Sequence, residues 1–101
     1  MIIYNVTIKL DHSIHDSWLK WMKDVHIPDV VGSGCFTHAV FLHLIEADDA
    51  DGVTYAIQYH TTSIDLYNRY IENYADAMRK KAIAKWGDKF VAFRTVMRLV
   101  N

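Results

Sequence analysis

Hydrophobic and polar residues alternate along three stretches of the chain, and this period of two predicts β-strands. The stretches are Ile2–Leu10, Val53–Thr61 and residues 89–100, and a further strand is predicted over residues 35–46. Between the first and second strands, and again between the third and fourth, apolar residues recur at helical spacing. This order predicts an α+β, ferredoxin-like βαββαβ fold, in which a four-stranded antiparallel sheet carries two helices on one face.

Capping sequences and helix breakers set the predicted helix ends. A serine capping box at residues 13–16 is expected to start the first helix, and a threonine capping box at residues 62–65 the second. Pro28 is expected to end the first helix and to favour an extended conformation at Ile27, because proline lacks a backbone N–H and restricts its predecessor. The second helix is predicted as a single helix that runs to Trp86, and Gly87 follows as its C-terminal cap.

The second predicted strand is apolar on both of its faces. Val40 and Leu42 have one parity, while Ala39 and Phe41 have the other. A single chain of this fold covers only one face of its sheet with helices, so the second apolar face needs another partner. The pattern therefore predicts a homodimer in which two sheets pack face to face.

Composition narrows the classes of function. A single domain over residues 1–101 is expected, since 51% hydrophobic residues are enough to fill one core. With 11 basic and 12 acidic residues, the chain has no excess charge to attract nucleic acid or an anionic membrane. The single cysteine, Cys35, favours a reducing compartment, and the N-terminal strand lacks the pattern of a signal peptide. A cytoplasmic protein is expected.

Polar residues define a candidate site on the sheet face that the helices leave uncovered. If the more apolar side of each strand faces the helices, the opposite side collects Asn5, Gln58, His60 and Arg94. Polar side chains on a partly buried face need partners. Either these residues line a cleft that binds a small anionic ligand, with Arg94 as the anion-binding group, or they satisfy one another across a dimer interface. The sequence favours neither alternative.

Histidines are the second source of candidate chemistry. His26 is the acid/base candidate, because it lies where the chain leaves a regular element near the cleft and histidine titrates close to neutral pH. The six histidines and the single cysteine do not form a consistent set of metal ligands at the predicted spacings. No glycine-rich phosphate loop or serine elbow occurs. The chain is therefore expected to act without a metal, a nucleotide or another cofactor.

Several segments of the sequence resemble a small family of uncharacterised bacterial proteins. They lie at residues 18–22, 26–30, 34–37, 57–59 and 86–95, and the last, WGDKFVAFRT, is the most specific. That family is assigned to the dimeric α/β-barrel superfamily of ferredoxin-like folds, so the resemblance implies a barrel made by two facing sheets. The superfamily includes cofactor-independent monooxygenases, isomerases, polyketide cyclases and haem-degrading enzymes. Haem degradation is disfavoured, because such members need a histidine on the second helix and no histidine follows His60.

These observations lead to two hypotheses about function. The leading one is a small-ligand-binding dimeric α/β-barrel protein, or a cofactor-independent enzyme of monooxygenase, isomerase or cyclase type, acting on a small organic anion. Its ligand-binding residues are Asn5, Gln58, His60 and Arg94, with His26 as the catalytic acid/base. The alternative is a non-catalytic dimerising or regulatory module whose polar sheet face only fixes the interface. The sequence leaves open whether the protein is catalytic, and a fold alone does not decide this.

Overall fold

The computed structural model describes all residues, 1–101. Four strands form one antiparallel sheet in the order β2-β3-β1-β4. The strands are β1 (Ile2–Leu10), β2 (His38–His43), β3 (Val53–Thr61) and β4 (Phe90–Arg98). The predicted order of strands and helices is confirmed, and the bounds of β1 and β3 agree with the prediction.

The helical segments all pack on one face of this sheet. The first helical region contains a 3₁₀ turn (His12–Ile14), α1 (His15–Trp21), a π-helical turn (Met22–His26) and α2 (Ile27–Gly32), and the second contains α3 (Ile64–Asn73) and α4 (Ala75–Trp86). The core between helices and sheet includes Trp18, Met22 and Tyr70 from the helices. It also includes alternate residues of the two central strands, which are Tyr4, Val6, Ile8, Leu10, Val53, Tyr55, Ile57 and Tyr59. The two-layer arrangement follows from this period-two burial.

The first helical region departs from its prediction at both ends. Asp11, rather than Ser13, caps the start, because the Asp11 carboxylate accepts a hydrogen bond from the Ser13 backbone N–H at 2.8 Å. Pro28 does not end the helix, and Ile27 is helical (φ −61°, ψ −46°) rather than extended. The π-helical turn explains the difference: Ile27 N–H bonds to the Met22 carbonyl five residues back, and Pro28 then occupies the first turn of α2, where its missing N–H costs nothing.

The second helical region is also not the single helix predicted. Ser63, one residue after the predicted Thr62, is the N-terminal cap, and its hydroxyl accepts from the Leu66 N–H at 3.2 Å. The helix is interrupted at Tyr74 (φ −127°, ψ −35°). Gly87 does end α4 with a positive φ of 60°, as glycine at that position predicts.

Strand β2 is shorter than predicted, at six residues. Cys35 and Phe36 lie in the preceding turn and are buried in the core. Beyond His43 the chain enters the loop that leads to β3. Val40 and Leu42 are nevertheless exposed on the side away from the helices, while Ala39 and Phe41 pack against the core. No helix of the chain is long and apolar enough to cross a bilayer.

Candidate functional site

The sheet register divides the four candidate residues that lie on strands between two faces. Asn5 pairs with Gln58, and His60 pairs with Ile3, all on the side of the sheet opposite the helices. We call this side the open face. Its members are Ile3, Asn5, Thr7, Lys9, His38, Val40, Leu42, Thr54, Ala56, Gln58, His60, Val91, Phe93, Thr95 and Met97. The prediction that Asn5, Gln58 and His60 share the face away from the helices is therefore confirmed.

Arg94 was predicted on that same face, and this placement is wrong. Arg94 pairs with Val6, which is buried in the core, so its side chain is on the helix side of the sheet. The Asp11 N–H donates a hydrogen bond to the Lys89 carbonyl (2.8 Å), and Phe90 is thereby aligned with Leu10. This alignment determines which residues of β4 face the helices. Because apolar residues occupy both parities of β4, its alternation did not identify the inward side.

Arg94 and His26 meet instead in a cleft between the helices and the sheet. The inner part of the cleft is a cavity of about 50 Å³, and fourteen of its seventeen lining residues are hydrophobic. That volume suits a few water molecules or one small chemical group. Its mouth opens into a groove of about 570 Å³ between α4 and β4, a size typical of sites for small organic ligands.

The inner cavity and the outer groove share a short neck. Five residues line both spaces: Arg79, Ala82, Phe90, Ala92 and Arg94. Two guanidinium groups therefore face the same opening, beside apolar walls. The ion pairs of the chain involve His15, Lys20 and Lys80, so no carboxylate neutralises either arginine, although Asp88 lies along the outer groove.

Arg79 is the cleft residue that sequence reasoning missed. Its Nη2 donates a hydrogen bond to the Tyr4 hydroxyl at 3.3 Å, and this bond, opposed by burial, raises the pKa of Arg79 above its ordinary value. Its Nε–H is buried without a hydrogen-bond partner. A buried donor on a cation is costly to leave unsatisfied, so this N–H marks a place for an acceptor from water or a ligand.

His26 enters the same cavity from the π-helical turn. Its ring stacks on Trp21 with 4.7 Å between centroids and 24° between planes. Burial lowers its pKa to about 4; Asp29 acts in the opposite direction, and the positive charges of Lys81 and Arg94 lower it further. The imidazole is therefore neutral at physiological pH, and no hydrogen bond contributes to its pKa.

Tyrosines form the remaining polar wall of the cavity. Burial raises the pKa of both Tyr59 and Tyr70 well above the ordinary value, so both phenols stay protonated. Tyr70 is 4% exposed, and its ring centroid is 5.8 Å from that of Tyr4. Hydroxyl donors, two cations and a neutral imidazole in an apolar cavity can bind and polarise an anion.

The open face has a different character. It exposes Val91, Phe93 and Met97 to solvent, and Phe93 is 65% exposed. On the same face, the rings of His38 and His60 stack with 4.4 Å between centroids, and the Nε2 of His60 is buried without a partner. No three His, Cys, Asp or Glu side chains of the chain are grouped so as to hold a metal ion.

Solved structures of the same shape define the class of this protein as ferredoxin-like. A dimeric ferredoxin-like protein from an uncultured marine organism aligns with a TM-score of 0.75 at 8% identity, covering 99% of this chain and 95% of that one. SnoaB, a cofactor-independent oxygenase from Streptomyces nogalater, aligns with a TM-score of 0.67 at 12% identity, with coverage of 99% and 94%. A monooxygenase from Streptomyces coelicolor in complex with nanaomycin D gives a TM-score of 0.59 at 12% identity, with coverage of 99% and 89%. Identities this low establish the fold alone.

The chain belongs to the DUF4286 family, described as a domain of unknown function, whose model matches residues 1–100. The expected resemblance to an uncharacterised family with a ferredoxin-like fold is thus confirmed. No curated protein matches the chain.

Proposed function

We propose that this protein is a homodimer that binds a small organic anion in the cleft between its helices and its sheet. The observation that carries the proposal is the pair of guanidinium groups, Arg79 and Arg94, at the neck between an apolar cavity and an open groove. Arginine offers a planar fork for a carboxylate or an enolate, and it stays charged at any physiological pH. The apolar walls favour a ligand with a hydrocarbon or aromatic body.

The open face supports the dimer. Solvent-exposed Val91, Phe93 and Met97 lie on one flat side of an antiparallel sheet, and a second copy of the chain would remove them from water. One of the structurally similar proteins is described as dimeric and ferredoxin-like. In this proposal Asn5, Gln58 and His60 act at the subunit interface or at its edge, since the cleft is on the other side of the sheet.

Catalysis without a cofactor is compatible with this cleft. A neutral imidazole and two cations supply an acid/base group and charge stabilisation without a metal or a nucleotide. SnoaB, which shares the fold, is described as a cofactor-independent oxygenase. We propose that the protein works in the cytoplasm, where its one buried cysteine stays reduced.

The alternative, a non-catalytic dimerising or regulatory module, has its own observation. The Asn5 amide donates to the Thr7 hydroxyl at 3.0 Å on the open face, and Gln58 lies directly opposite Asn5. This polar patch among apolar residues is suited to fix the register of a dimer. In that case the cleft would be a structural cavity that binds no anion.

Ligand binding by variants separates the two hypotheses. Phenylacetate combines a carboxylate with an apolar ring, and its methyl ester is neutral and larger by one methyl group. We expect the protein to bind phenylacetate and not the ester in calorimetric titration. Arg94→Met and Arg79→Met should each weaken binding at least about tenfold, because a hydrogen bond to a charged group contributes roughly 1.5–3 kcal/mol.

Arg69→Met is the matched control, since Arg69 is exposed on α3 and lines neither the cavity nor the groove. Light scattering on the same samples reports the dimer. If Arg94→Met loosens the dimer and leaves phenylacetate binding unchanged, Arg94 is a structural residue and the cleft hypothesis fails.

A further inference from the structure

We propose that the cleft catalyses keto–enol proton transfer on a small 2-oxo acid with an apolar side chain. In this reaction His26 is the general base, Arg94 binds the substrate carboxylate, and Arg79 stabilises the enolate oxygen. The inference deepens the proposed function and rests on it, because the substrate is one of the organic anions expected in the cleft.

The position of the base comes first. His26 ends the π-helical turn and lines the inner cavity together with both arginines. Single π-helical turns are rare and occur frequently at functional sites, because they re-aim side chains that an α-helix would direct elsewhere. The ring is held by stacking on Trp21 and by no hydrogen bond, so its nitrogens remain available to a substrate.

The two arginines differ in a way that assigns their roles. Arg94 is exposed at the mouth of the cleft, where its planar guanidinium can donate hydrogen bonds to a carboxylate that enters from the outer groove. Arg79 is half-buried, with its Nη2 bound to Tyr4 and its buried Nε–H without a partner. A guanidinium held beside apolar walls suits charge that develops on a carbonyl oxygen during the reaction.

The reaction needs no oxidant, reductant or cofactor. The imidazole takes a proton from the carbon next to the keto group, and the C–H electron pair becomes the C=C bond of the enolate. The carbonyl π electrons move to oxygen, where the guanidinium of Arg79 stabilises the negative charge. The imidazolium exchanges this proton with solvent. Transfer of a proton from the imidazolium to oxygen gives the enol, and transfer of a solvent-derived proton to carbon regenerates the keto acid.

The protonation state of His26 fits this role. Burial and nearby cations keep the His26 imidazole unprotonated when no ligand is bound, so at neutral pH the residue is in its basic form. A bound carboxylate would offset the charge of Arg94 and so raise the basicity of His26 toward the range useful for proton transfer. The positive charges of Lys81 and Arg94 lower the pKa of His26, whereas the negative charge of Asp29 raises it. These are the charges that act on the ring.

Deuterium exchange provides the test. Phenylpyruvate is dissolved in D₂O, and the loss of its C3 proton signal is followed by NMR with and without protein. We expect the protein to accelerate exchange well above the buffer rate, and His26→Gln to lower that acceleration at least about a hundredfold, the usual contribution of a general base. Phenylacetate affinity should change less than about threefold in the same variant, because Arg79 and Arg94 remain.

The control is His43→Gln, whose ring stacks on Tyr55 outside the cleft and whose change should leave exchange unaffected. If the wild type binds phenylacetate but does not accelerate exchange, the inference is overturned and the proposed function stands. If phenylacetate does not bind, both fail. If His26→Gln does not fold, the wild type decides: phenylacetate must raise the pKa of the His26 imidazole in an NMR titration, and an unchanged pKa overturns the role of His26.

Discussion

Tyr4 accepts a hydrogen bond from Arg79, with 3.3 Å between the phenolic oxygen and Nη2. The bond joins the first strand to α4 across 75 positions of the sequence. It also holds one side of the guanidinium against the tyrosine wall while the Nε–H is buried without a partner. The arrangement leaves part of a fixed cation free at the neck of the cleft, which is the property an anion site requires.

Tyr4→Phe tests this relationship. We expect the free energy of unfolding to fall by about 1 kcal/mol, because the change removes one hydrogen bond from a buried position. Phenylacetate affinity should fall several-fold, since Arg79 loses the group that orients it. Urea unfolding and calorimetry measure the two effects. Tyr67→Phe is the control, because the Tyr67 ring centroid lies 5.4 Å from that of Tyr4 and its hydroxyl accepts no hydrogen bond from Arg79. An equal loss of phenylacetate affinity in both variants would contradict the role given to Tyr4.

The parts of the fold with one apolar face could be predicted from the sequence. Strands β1 and β3 alternate cleanly, so their bounds and the shared face of Asn5 and Gln58 followed from the pattern. Strand β4 is apolar on both parities, and only its pairing with β1 decides that Arg94 faces the helices. A one-residue change of phase reverses every side chain of a strand, which is why Arg94 was placed on the wrong face.

The cleft residues on the helices were harder to predict for a second reason. In an uninterrupted helix, Tyr70 and Arg79 would be about 180° apart, because nine residues at 3.6 per turn make two and a half turns. The break at Tyr74 changes that relation, and both residues line the cavity. Likewise, the sequence around Pro28 signalled a helix end, whereas a π-helical turn lets the helix continue and brings His26 inward. Local propensity does not reveal either irregularity.

The open face yields a prediction about assembly. Phe93→Lys should convert the proposed dimer into a monomer, because it places a charge in the centre of the apolar patch. Light scattering at micromolar concentration measures the mass. Ile45→Lys, which changes an 84% exposed residue of the loop between β2 and β3, should leave the dimer intact. A wild-type monomer at that concentration would contradict the proposal outright.

The expectation of a metal-free protein has its own measurement. Protein purified without a histidine tag should contain well below one zinc or iron atom per chain, and a chelator should leave its thermal unfolding unchanged. A structural metal contributes folding free energy and would survive purification. Stoichiometric metal, or a lowered unfolding temperature after chelation, would refute the cofactor-free hypothesis.

The stacked pair His38 and His60 predicts that the dimer weakens in acid. Burial, with a smaller contribution from His38, lowers the pKa of His60 below its ordinary value of 6.5. The Nδ1 of His38 lies within hydrogen-bond distance of the Thr37 hydroxyl. His60 lies opposite the apolar Ile3 on the neighbouring strand β1. Packing of a second chain on this face would bury His60 further and lower its pKa again, so the dimer favours the neutral ring. This contribution to the dimer is complete above about pH 6.5 and is lost as the pH falls through the lowered pKa.

Light scattering between pH 7.5 and pH 5 measures this loss. Replacement of both rings by His38→Gln and His60→Gln should reduce the pH dependence of dissociation, whereas His12→Gln, exposed and away from the open face, should not. A wild-type dimer that is equally stable across the range would show that His60 does not titrate at the interface.

His26 makes the folded state itself sensitive to acid. Its pKa of about 4 in the folded chain lies about 2.5 units below the ordinary 6.5, so the unfolded chain binds a proton that the folded chain excludes. Unfolding is therefore favoured progressively as the pH falls from 6.5 to 4, and each unit corresponds to 1.36 kcal/mol. The wild type should lose about 3 kcal/mol of unfolding free energy over this window from His26 alone, in addition to losses from its carboxylates.

Urea unfolding at several pH values, followed by tryptophan fluorescence, separates the contribution of His26 from that of the carboxylates. His26→Gln should be less stable than the wild type at pH 7.5, because Trp21 loses its stacked ring, and this deficit should shrink as the pH approaches 4. His43→Gln provides the comparison for an exposed histidine with the same loss of charge. If His26→Gln and His43→Gln show the same dependence on pH, His26 titrates normally in the folded protein and cannot be the buried neutral base of the cleft.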